Sequence, residues 1–235
     1  MNNDFRQAYL LHRRPHSDSQ VMLNMLVEGV GQLMMLARIK GRQALRHNAN
    51  LQPFSLLLVR YSGRHDLKYL NDIELHTQPL AMKGQVLYCG FYLNELSTRV
   101  IPVNEPLEEI FSLYHHHLQQ LHKQTENARR SAFELTLRSF EFQLLEQLGF
   151  GVEFDCDADG EAIVEGAYYQ YTRELGFVRT DDPHIGFSGR VLHHIAQRDF
   201  TDDQVRRQAK GLSRYLFRPL LGHKPLKSRE LFQSR

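Results

Sequence analysis

Residues 67–100 read LKYLNDIELHTQPLAMKGQVLYCGFYLNELSTRV, and the spacing of the apolar residues changes within this stretch. Up to residue 75 the apolar side chains form a short run of the kind found in β-strands. From residue 82 they recur at alternating spacings of four and three, the period of an amphipathic helix. The helical positions are Met82, Val86, Cys89, Leu93, Leu96 and Val100. The change near residue 80 predicts a β domain over residues 1–79 and a mainly helical domain over residues 80–235.

The sequence before this change contains five short apolar runs separated by residues typical of turns. The runs cover residues 8–13, 21–27, 33–39, 54–61 and 67–75, and the separators cover residues 15–19, 29–31, 41–50 and 62–66. No run is long and periodic enough to predict a helix. Five strands in about 70 residues suit a small closed barrel, and the five-stranded Greek-key barrel is the OB-fold. An SH3-like barrel fits these runs almost as well.

Two further amphipathic helices follow the first one. The second begins behind Pro106, which suits a first helical turn, and the third ends before Gly149, which suits a left-handed cap. Three apolar helix faces predict a helical bundle. The faces of the second and third helices are Leu107, Ile110, Phe111, Tyr114, Leu118 and Leu121, and Phe133, Leu137, Phe140, Leu144 and Leu148.

The periodicity loosens between residues 150 and 187, where β-like pieces at 167–172 and 176–180 follow the turn signal Asp159-Gly160. We expect a small irregular insertion there. Helices resume near Ser188 and at Thr201, and Thr201 with Gln204 matches a capping box. The pattern predicts an α+β protein in which a five-stranded barrel precedes a mainly α-helical domain containing a small β insertion.

Charge is distributed unevenly along the chain, although the net charge is only +2. Residues 1–80 carry ten Lys and Arg against six Asp and Glu, residues 81–200 ten against eighteen, and residues 201–235 nine against three. Clustered positive charge attracts polyanions through phosphate neutralisation and counterion release. The basic ends indicate nucleic acid as the first partner to consider, with ordinary solvated charge as the alternative.

The sequence also indicates a compartment. No run of 18 uncharged apolar residues occurs, and the N-terminal residues lack the apolar segment of a signal peptide. We therefore expect a cytoplasmic protein without a membrane partner. Cys89 and Cys156 are the two cysteines. They cannot supply a disulfide framework or a four-thiolate metal site, so we expect free thiols.

Cationic residues cluster on the predicted barrel. An OB-fold holds single strands in its loops and groove through cations and through aromatic rings on which bases stack. Tyr61 and Tyr69 are the aromatic candidates, and either could instead be a core or rim residue. The barrel residues predicted to contact nucleic acid are Arg13, Arg14, Arg38, Lys40, Arg42, Arg46, Arg60, Arg64 and Lys68.

The helix predicted at residues 202–217 separates apolar from cationic positions. Cations on one helix face can follow phosphates without reading bases, although a solvated helix face explains them equally well. Lys224, Lys227 and Arg229 behind the helix extend the predicted contacts. The apolar face consists of Val205, Ala209, Leu212 and Leu216, and the cationic face of Arg207, Lys210, Arg214 and Arg218.

Several apparent motifs fail on their chemistry. Residues 222–228, GHKPLKS, resemble a phosphate loop but lack the glycine before the lysine. Residues 155–160 imitate a calcium loop whose twelfth position is Gly166 instead of glutamate. The histidines at 115–117 and 122 cannot all point at one ion, so we expect them to be solvated. We therefore predict no catalytic residue, no cofactor and no metal site.

Four longer segments carry a resemblance to a known family. They are LLHRRPHSDSQVMLNMLVEGVGQLMMLARIKGR at residues 10–42, LQPFSLLLVRYSGRHDLKYL at 51–70, LRSFEFQLLEQLGFG at 137–151 and PLLGHKPLKSRELF at 219–232. Together, in this order, they resemble the RecO family of recombination mediators. The resemblance implies an N-terminal OB-fold, a helical C-terminal domain and a function without covalent chemistry.

The resemblance also implies activities and partners. RecO proteins bind single- and double-stranded DNA, anneal complementary strands and contact the C-terminal tail of single-stranded-DNA-binding protein. With RecR, and with RecF as a further candidate partner, they help to load RecA. We expect the same activities and partners here.

Two details of this protein follow from the resemblance. The partner's tail is acidic and ends in hydrophobic residues and a carboxylate, so its receptor should combine an apolar pocket with arginine. Arg138 is the best candidate, with Arg129 and Arg130 near the start of its helix, and helix-surface solvation is the alternative for each. Some relatives carry four zinc-binding cysteines in the insertion, where this chain keeps only Cys156. We therefore expect a metal-free insertion.

Two other functional classes stay open. An OB-fold RNA-binding or translation-associated module would prefer structured RNA to single-stranded DNA. A hydrolase using the histidines would require turnover that fails on His→Ala substitution.

Overall fold

The computed structural model describes residues 4–41, 44, 48–126 and 129–232, and the chain divides into two compact units. The first unit comprises Met1–Ala128 with Leu220–Arg235, and the second comprises Arg129–Pro219. The C-terminal residues therefore belong to the same unit as the N-terminal ones. The boundary predicted between residues 79 and 80, with an OB-fold domain before it and a helical domain after it, stays a prediction.

Five strands of the first unit close into a barrel in the order β1-β2-β3-β5-β4. β3 and β5 run parallel, and the other pairs are antiparallel. Alternate side chains point inward, so that Leu23, Met25 and Met35 are fully buried in the barrel core. The five-stranded barrel and its OB-fold are confirmed. The strands are β1 Arg6–Ser17, β2 Gln20–Val27, β3 Gly31–Arg38, β4 Leu57–Ser62 and β5 Leu67–Leu75.

Two strand boundaries differ from the sequence prediction. β1 continues through Pro15, which lies opposite Val21, although the prediction ends this strand before the proline. On its other edge, β1 pairs with β4 only at residues 6–8. Pro15 therefore has a described strand partner on one side alone, where a proline without an N–H is tolerated. The strand predicted at residues 54–61 begins too early. Phe54 adopts a left-handed conformation with φ of 63°, and β4 starts at Leu57.

Two helices of the first unit pack against the barrel, α1 Gly84–Val100 and α2 Glu108–Lys123. Most of the predicted apolar positions of both helices are buried, which confirms their orientation. Asn94 of α1 is also buried. Its side-chain amide donates to the Leu10 carbonyl at 3.4 Å and its oxygen accepts from the Tyr114 hydroxyl. These bonds connect β1 to both helices.

The C-terminal segment docks on α1 through a short 3-10 helix, Lys227–Phe232. The Glu95 carboxylate accepts from the Lys227 and Ser228 amides at 2.9 and 2.8 Å and from the Ser228 hydroxyl at 2.6 Å. Burial raises the pKa of Glu95, but these hydrogen bonds outweigh it and the net effect is a lowered pKa. Arg99 donates to main-chain carbonyls of the same segment. We call Glu95 and Arg99, with residues 220–232, the C-terminal clamp.

The second unit combines three helices with a small sheet, so the predicted β insertion among helices is confirmed. The sheet has the order β7-β6-β8. The first two predicted helical faces lie in the first unit and the third lies in the second. The elements are α3 Arg130–Gln147, β6 Tyr168–Thr172, β7 Gly176–Thr180, β8 Phe187–Ser188, α4 Gly189–Ala196 and α5 Asp203–Leu221, whose last two residues belong to the first unit.

Two helix ends of the second unit test the capping predictions. Gly149 ends α3 in a left-handed conformation with φ of 77°, as predicted. The capping box at Thr201 and Gln204 is wrong. The Asp202 carboxylate caps α5 instead, because it accepts from the Gln204 and Val205 amides at 2.7 and 3.1 Å.

Aromatic packing fills the region around the insertion. The rings of Phe154 and Phe177 have centroids 5.6 Å apart, and those of Phe142 and Phe200 stack at 5.9 Å. Cys156 is a half-buried free thiol. In the part of the chain that the structure describes, no three His, Cys, Asp or Glu residues are placed to hold a metal ion. Within the same residues, no helix is both long and apolar enough to cross a membrane.

Candidate nucleic-acid interface

The barrel carries an exposed aromatic ring beside two cations at the end of β3. Arg38 ends this strand and Lys40 follows it, and both are exposed. Tyr69 lies opposite Leu36 in the parallel β3–β5 pair, and 52% of Tyr69 is exposed. These residues line a cavity of about 550 Å³, here called the barrel cavity, together with the amide side chains of Gln20 and Asn71. The cavity thus offers positive charge, a ring face and hydrogen-bonding groups in one place.

The other aromatic candidate has a different position. Tyr61 is half-buried and packs against the barrel core. Burial raises the pKa of Tyr61. Tyr61 therefore packs against the core without being fully buried, and Tyr69 is the exposed ring of the two.

Two of the predicted barrel cations are engaged within their own hairpin. Arg60 forms an ion pair with Asp72 at 3.0 Å. The Lys68 ammonium donates to the carbonyls of Gly63 and His65 at 3.3 and 2.7 Å. These contacts hold the β4–β5 hairpin and leave both cations less available to a phosphate.

The remaining barrel candidates are exposed or lie outside the described residues. Arg13 and Arg14 are exposed on β1, where each donates one hydrogen bond to a nearby side chain. Arg64 is exposed in the loop between β4 and β5. Arg42 and Arg46 belong to the residues that the structure does not describe.

Helix α5 separates its two faces as the sequence predicts. Its apolar positions are buried, and Arg207, Arg214 and Arg218 are exposed. Lys210 is half-buried, and its pKa is lowered, chiefly by burial and then by nearby arginine charges. An acidic residue outside the helix also acts on Lys210, since the Glu134 carboxylate of α3 raises the pKa.

Arg138 on α3 is buried, with 5% of the residue exposed. Its Nη2 donates to the Glu141 carboxylate at 2.6 Å, and the second oxygen of Glu141 accepts from the Ser213 hydroxyl at 2.6 Å. Among the described residues, Nε and Nη1 of Arg138 have no hydrogen-bond partner. The alternative of helix-surface solvation is therefore wrong for Arg138, because this side chain lies inside the unit.

The candidates on α3 and α5 form one group of charges. Burial is the largest cause of the lowered pKa of Lys210, and the charges of Arg214, Arg138 and Arg130 lower it further. These three charges therefore lie within reach of the Lys210 ammonium group. We call Arg130, Arg138, Lys210 and Arg214 the α3–α5 cation cluster. Sequence reasoning assigned the two helices to different ligands and missed this convergence. The spacing of four places residues 130, 134 and 138 on one face of α3 and residues 210 and 214 on one face of α5, but no signal in the sequence says that these two faces meet.

The other predicted site residues lie at the edges of these elements. Arg129 is exposed at the N-cap of α3. Lys224 and Lys227 are exposed and Arg229 is half-buried, all within the C-terminal clamp. Their side chains stay predicted contacts.

The histidines of α2 are not all solvated, contrary to expectation. His117 is buried, and its Nδ1 bonds to the Leu113 carbonyl at 2.9 Å. Burial lowers the pKa of His117 to about 4. His115 is half-buried, hydrogen-bonded to the Tyr9 hydroxyl at 2.7 Å, and its pKa is also lowered by burial. His115 therefore contributes to the packing of α2 against β1 of the barrel, and His117 is a buried residue of α2.

A closed OB-fold with an exposed ring and cations, followed by a helical unit with a cation cluster, defines a class of basic OB-fold proteins suited to nucleic acid. Comparison with known proteins identifies the family. Residues 1–79 match the family model described as "Recombination protein O N terminal", and residues 83–230 match "Recombination protein O C terminal". The chain belongs to the RecO family of DNA repair proteins.

Curated relatives share this family over nearly their whole length. The protein named DNA repair protein RecO of Pseudoalteromonas translucida is 60% identical over 232 residues, covering 99% of this chain and 98% of the relative. The protein of the same name from Haemophilus influenzae is 41% identical over 99% of this chain and 97% of its own. That of Coxiella burnetii is 37% identical over 95% of both chains.

Proposed function

We propose that the protein is a recombination mediator that binds single- and double-stranded DNA and anneals complementary strands without covalent chemistry. The observation that carries this proposal is the division of α5 into a buried apolar face and an exposed face with Arg207, Arg214 and Arg218. Guanidinium groups on such a face neutralise phosphates of any sequence and leave base edges free. Neutralised backbones can approach each other, which annealing requires. The name of the relatives, DNA repair protein RecO, supports the proposal.

The α3–α5 cation cluster is, in the same proposal, the receptor for the acidic C-terminal tail of single-stranded-DNA-binding protein. Two guanidinium donors of Arg138 are buried without a hydrogen-bond partner among the described residues, which is costly, and a carboxylate that reached them would satisfy them. The exposed Arg129 and Arg130 would attract the acidic residues of the tail. The cluster also contains Lys210 and Arg214, so tail and DNA would compete for part of one surface. RecR, RecF as a further candidate, and RecA loading at the nucleoid complete the proposed role.

The experiment is annealing of complementary strands coated with single-stranded-DNA-binding protein, without ATP. The intact partner protein is compared with one that lacks its C-terminal tail. We expect annealing of strands coated with the intact partner, and its loss when the tail is missing. Failure on both coated and naked strands would overturn the proposal, and a preference for structured RNA would then favour the RNA-binding module.

A matched pair of variants locates the DNA contact. Arg207→Glu with Arg214→Glu reverses two exposed charges on α5 and should weaken DNA binding. Lys83→Glu with Lys123→Glu makes the same charge change at exposed positions of the first unit. Equal weakening by both pairs would show that only the overall charge of the protein matters.

A further inference from the structure

We propose that the barrel cavity holds a single unstacked nucleobase of single-stranded DNA, with Tyr69 as its stacking surface. The inference rests on the proposed DNA binding and adds the chemical group that this site selects. In this proposal the barrel of the first unit binds a base, whereas the cationic face of α5 in the second unit contacts phosphates alone.

The placement of Tyr69 is the first argument. Tyr69 lies within β5, directly opposite the buried Leu36 of β3, and yet 52% of Tyr69 is exposed. An exposed aromatic ring beside a concave apolar floor offers a flat face of the kind on which bases stack in single-strand-binding proteins. The floor is formed by Leu36, Ala37 and Ala44, which are all buried.

The charged rim is the second argument. Gln20 lies opposite Arg38 in the β2–β3 ladder, so the strand end brings this arginine to the cavity, and Lys40 follows it. Among the described residues, neither cation takes part in an ion pair, in contrast to Arg60 of the same barrel. Arg38 and Lys40 can therefore meet the phosphates on either side of a base that lies against Tyr69.

The amide side chains are the third argument. Gln20 and Asn71 each carry donor and acceptor groups, so they can bond to the edge of any base. Asn71 is oriented by a hydrogen bond from the Ser62 hydroxyl to its Oδ1 at 3.1 Å. These groups predict tolerance of base identity, as an annealing protein requires.

The size of the cavity limits the occupant. A volume of about 550 Å³ lies within the roughly 300–1,000 Å³ typical of small-ligand sites, which suits a base and not a duplex. A paired base has both faces covered by its neighbours and its edge bonded to its partner. Only a base outside a helix can enter, so this site favours single strands and strand ends.

The test compares two single strands of equal length, one with thymine bases and one with abasic sugars on the same phosphate backbone. Wild-type protein should bind the base-bearing strand about 5- to 150-fold more tightly, the range that one stacked base contributes. Tyr69→Ala should remove this preference and leave the salt dependence unchanged, whereas Tyr69→Phe should keep both. Tyr168→Ala, at an exposed tyrosine of the second unit, is the control.

The outcomes separate this proposal from the general one. Equal, salt-dependent binding of both strands by the wild type would overturn the base site and leave DNA binding intact. Binding of neither strand would overturn both proposals. A preference that survives Tyr69→Ala would place base recognition elsewhere in the protein.

Discussion

Protonation of the buried His117 should destabilise the first unit as the pH falls. The ring is 3% exposed, and its Nδ1 bonds to the Leu113 carbonyl at 2.9 Å. Burial lowers the pKa of His117 to about 4, against 6.5 for an unperturbed histidine, and it outweighs the hydrogen bond to Leu113, which raises the pKa, so the folded protein holds this ring neutral. The unfolded chain binds the proton more tightly, so the stabilisation is complete above an unfolded pKa of about 6.5 and is lost as the pH falls towards the folded value.

The magnitude follows from the two pKa values. At about 1.4 kcal/mol per pKa unit, the full difference corresponds to about 3 kcal/mol. Roughly 2 kcal/mol of this should be lost between about pH 7 and about pH 5, because the folded state still excludes the proton there while the unfolded state has taken it up. Such a loss is a large fraction of the free energy of unfolding of a typical protein.

The assay is urea unfolding of the wild type and of His117→Asn at several pH values, followed by circular dichroism. Asparagine keeps an N–H donor for the Leu113 carbonyl and removes the titration. All other ionisable groups are the same in both proteins, so the difference between the two unfolding free energies isolates His117. Hydrogen exchange of the α2 amides reports the same change locally. A difference that does not vary with pH would refute the reasoning.

Three further predictions concern the charged residues. Arg207→Glu with Arg214→Glu should flatten the plot of log affinity against log salt by roughly 0.7 per lost phosphate contact on single strands; an unchanged slope would place these contacts elsewhere. Glu95→Gln should loosen the C-terminal clamp, because hydrogen bonds to a charged group contribute about 1.5–3 kcal/mol each, and unchanged hydrogen exchange of residues 220–232 would contradict this. Arg138→Ala should cost about 3–5 kcal/mol by leaving Glu141 buried without this partner, whereas Arg138→Met with Glu141→Gln should cost less; equal losses in thermal unfolding would mean that the pair is not coupled.

The strands and helices were largely predictable because they depend on local spacing. Apolar side chains that alternate along a strand or recur at helical intervals must share one face, whatever packs against it. The buried faces of α1, α2 and α5 follow directly from this rule. The exceptions have local competitors, such as Asp202, which caps α5 in place of Thr201 because its carboxylate reaches two amides.

The environments of the candidate site residues were less predictable. A helical period places Arg138 on α3, but it does not say that the side chain is buried and paired with Glu141. The partner of that carboxylate, Ser213, lies 72 residues further along the chain. Burial of His117 and exposure of Tyr69 likewise depend on which distant strand or helix lies opposite.

The sequence by itself determined the order of a five-stranded barrel and helices, the apolar face of each helix and the uneven distribution of charge, since all of these are encoded in near neighbours. Only the tertiary structure decided which cations lie free, paired or buried, and it placed Tyr69 beside Arg38 and Lys40. It also brought the charges of α3 and α5 into one cluster. The physical reason is that burial, charge coupling and cavity shape depend on distances between residues far apart in the chain, and periodicity does not record those distances.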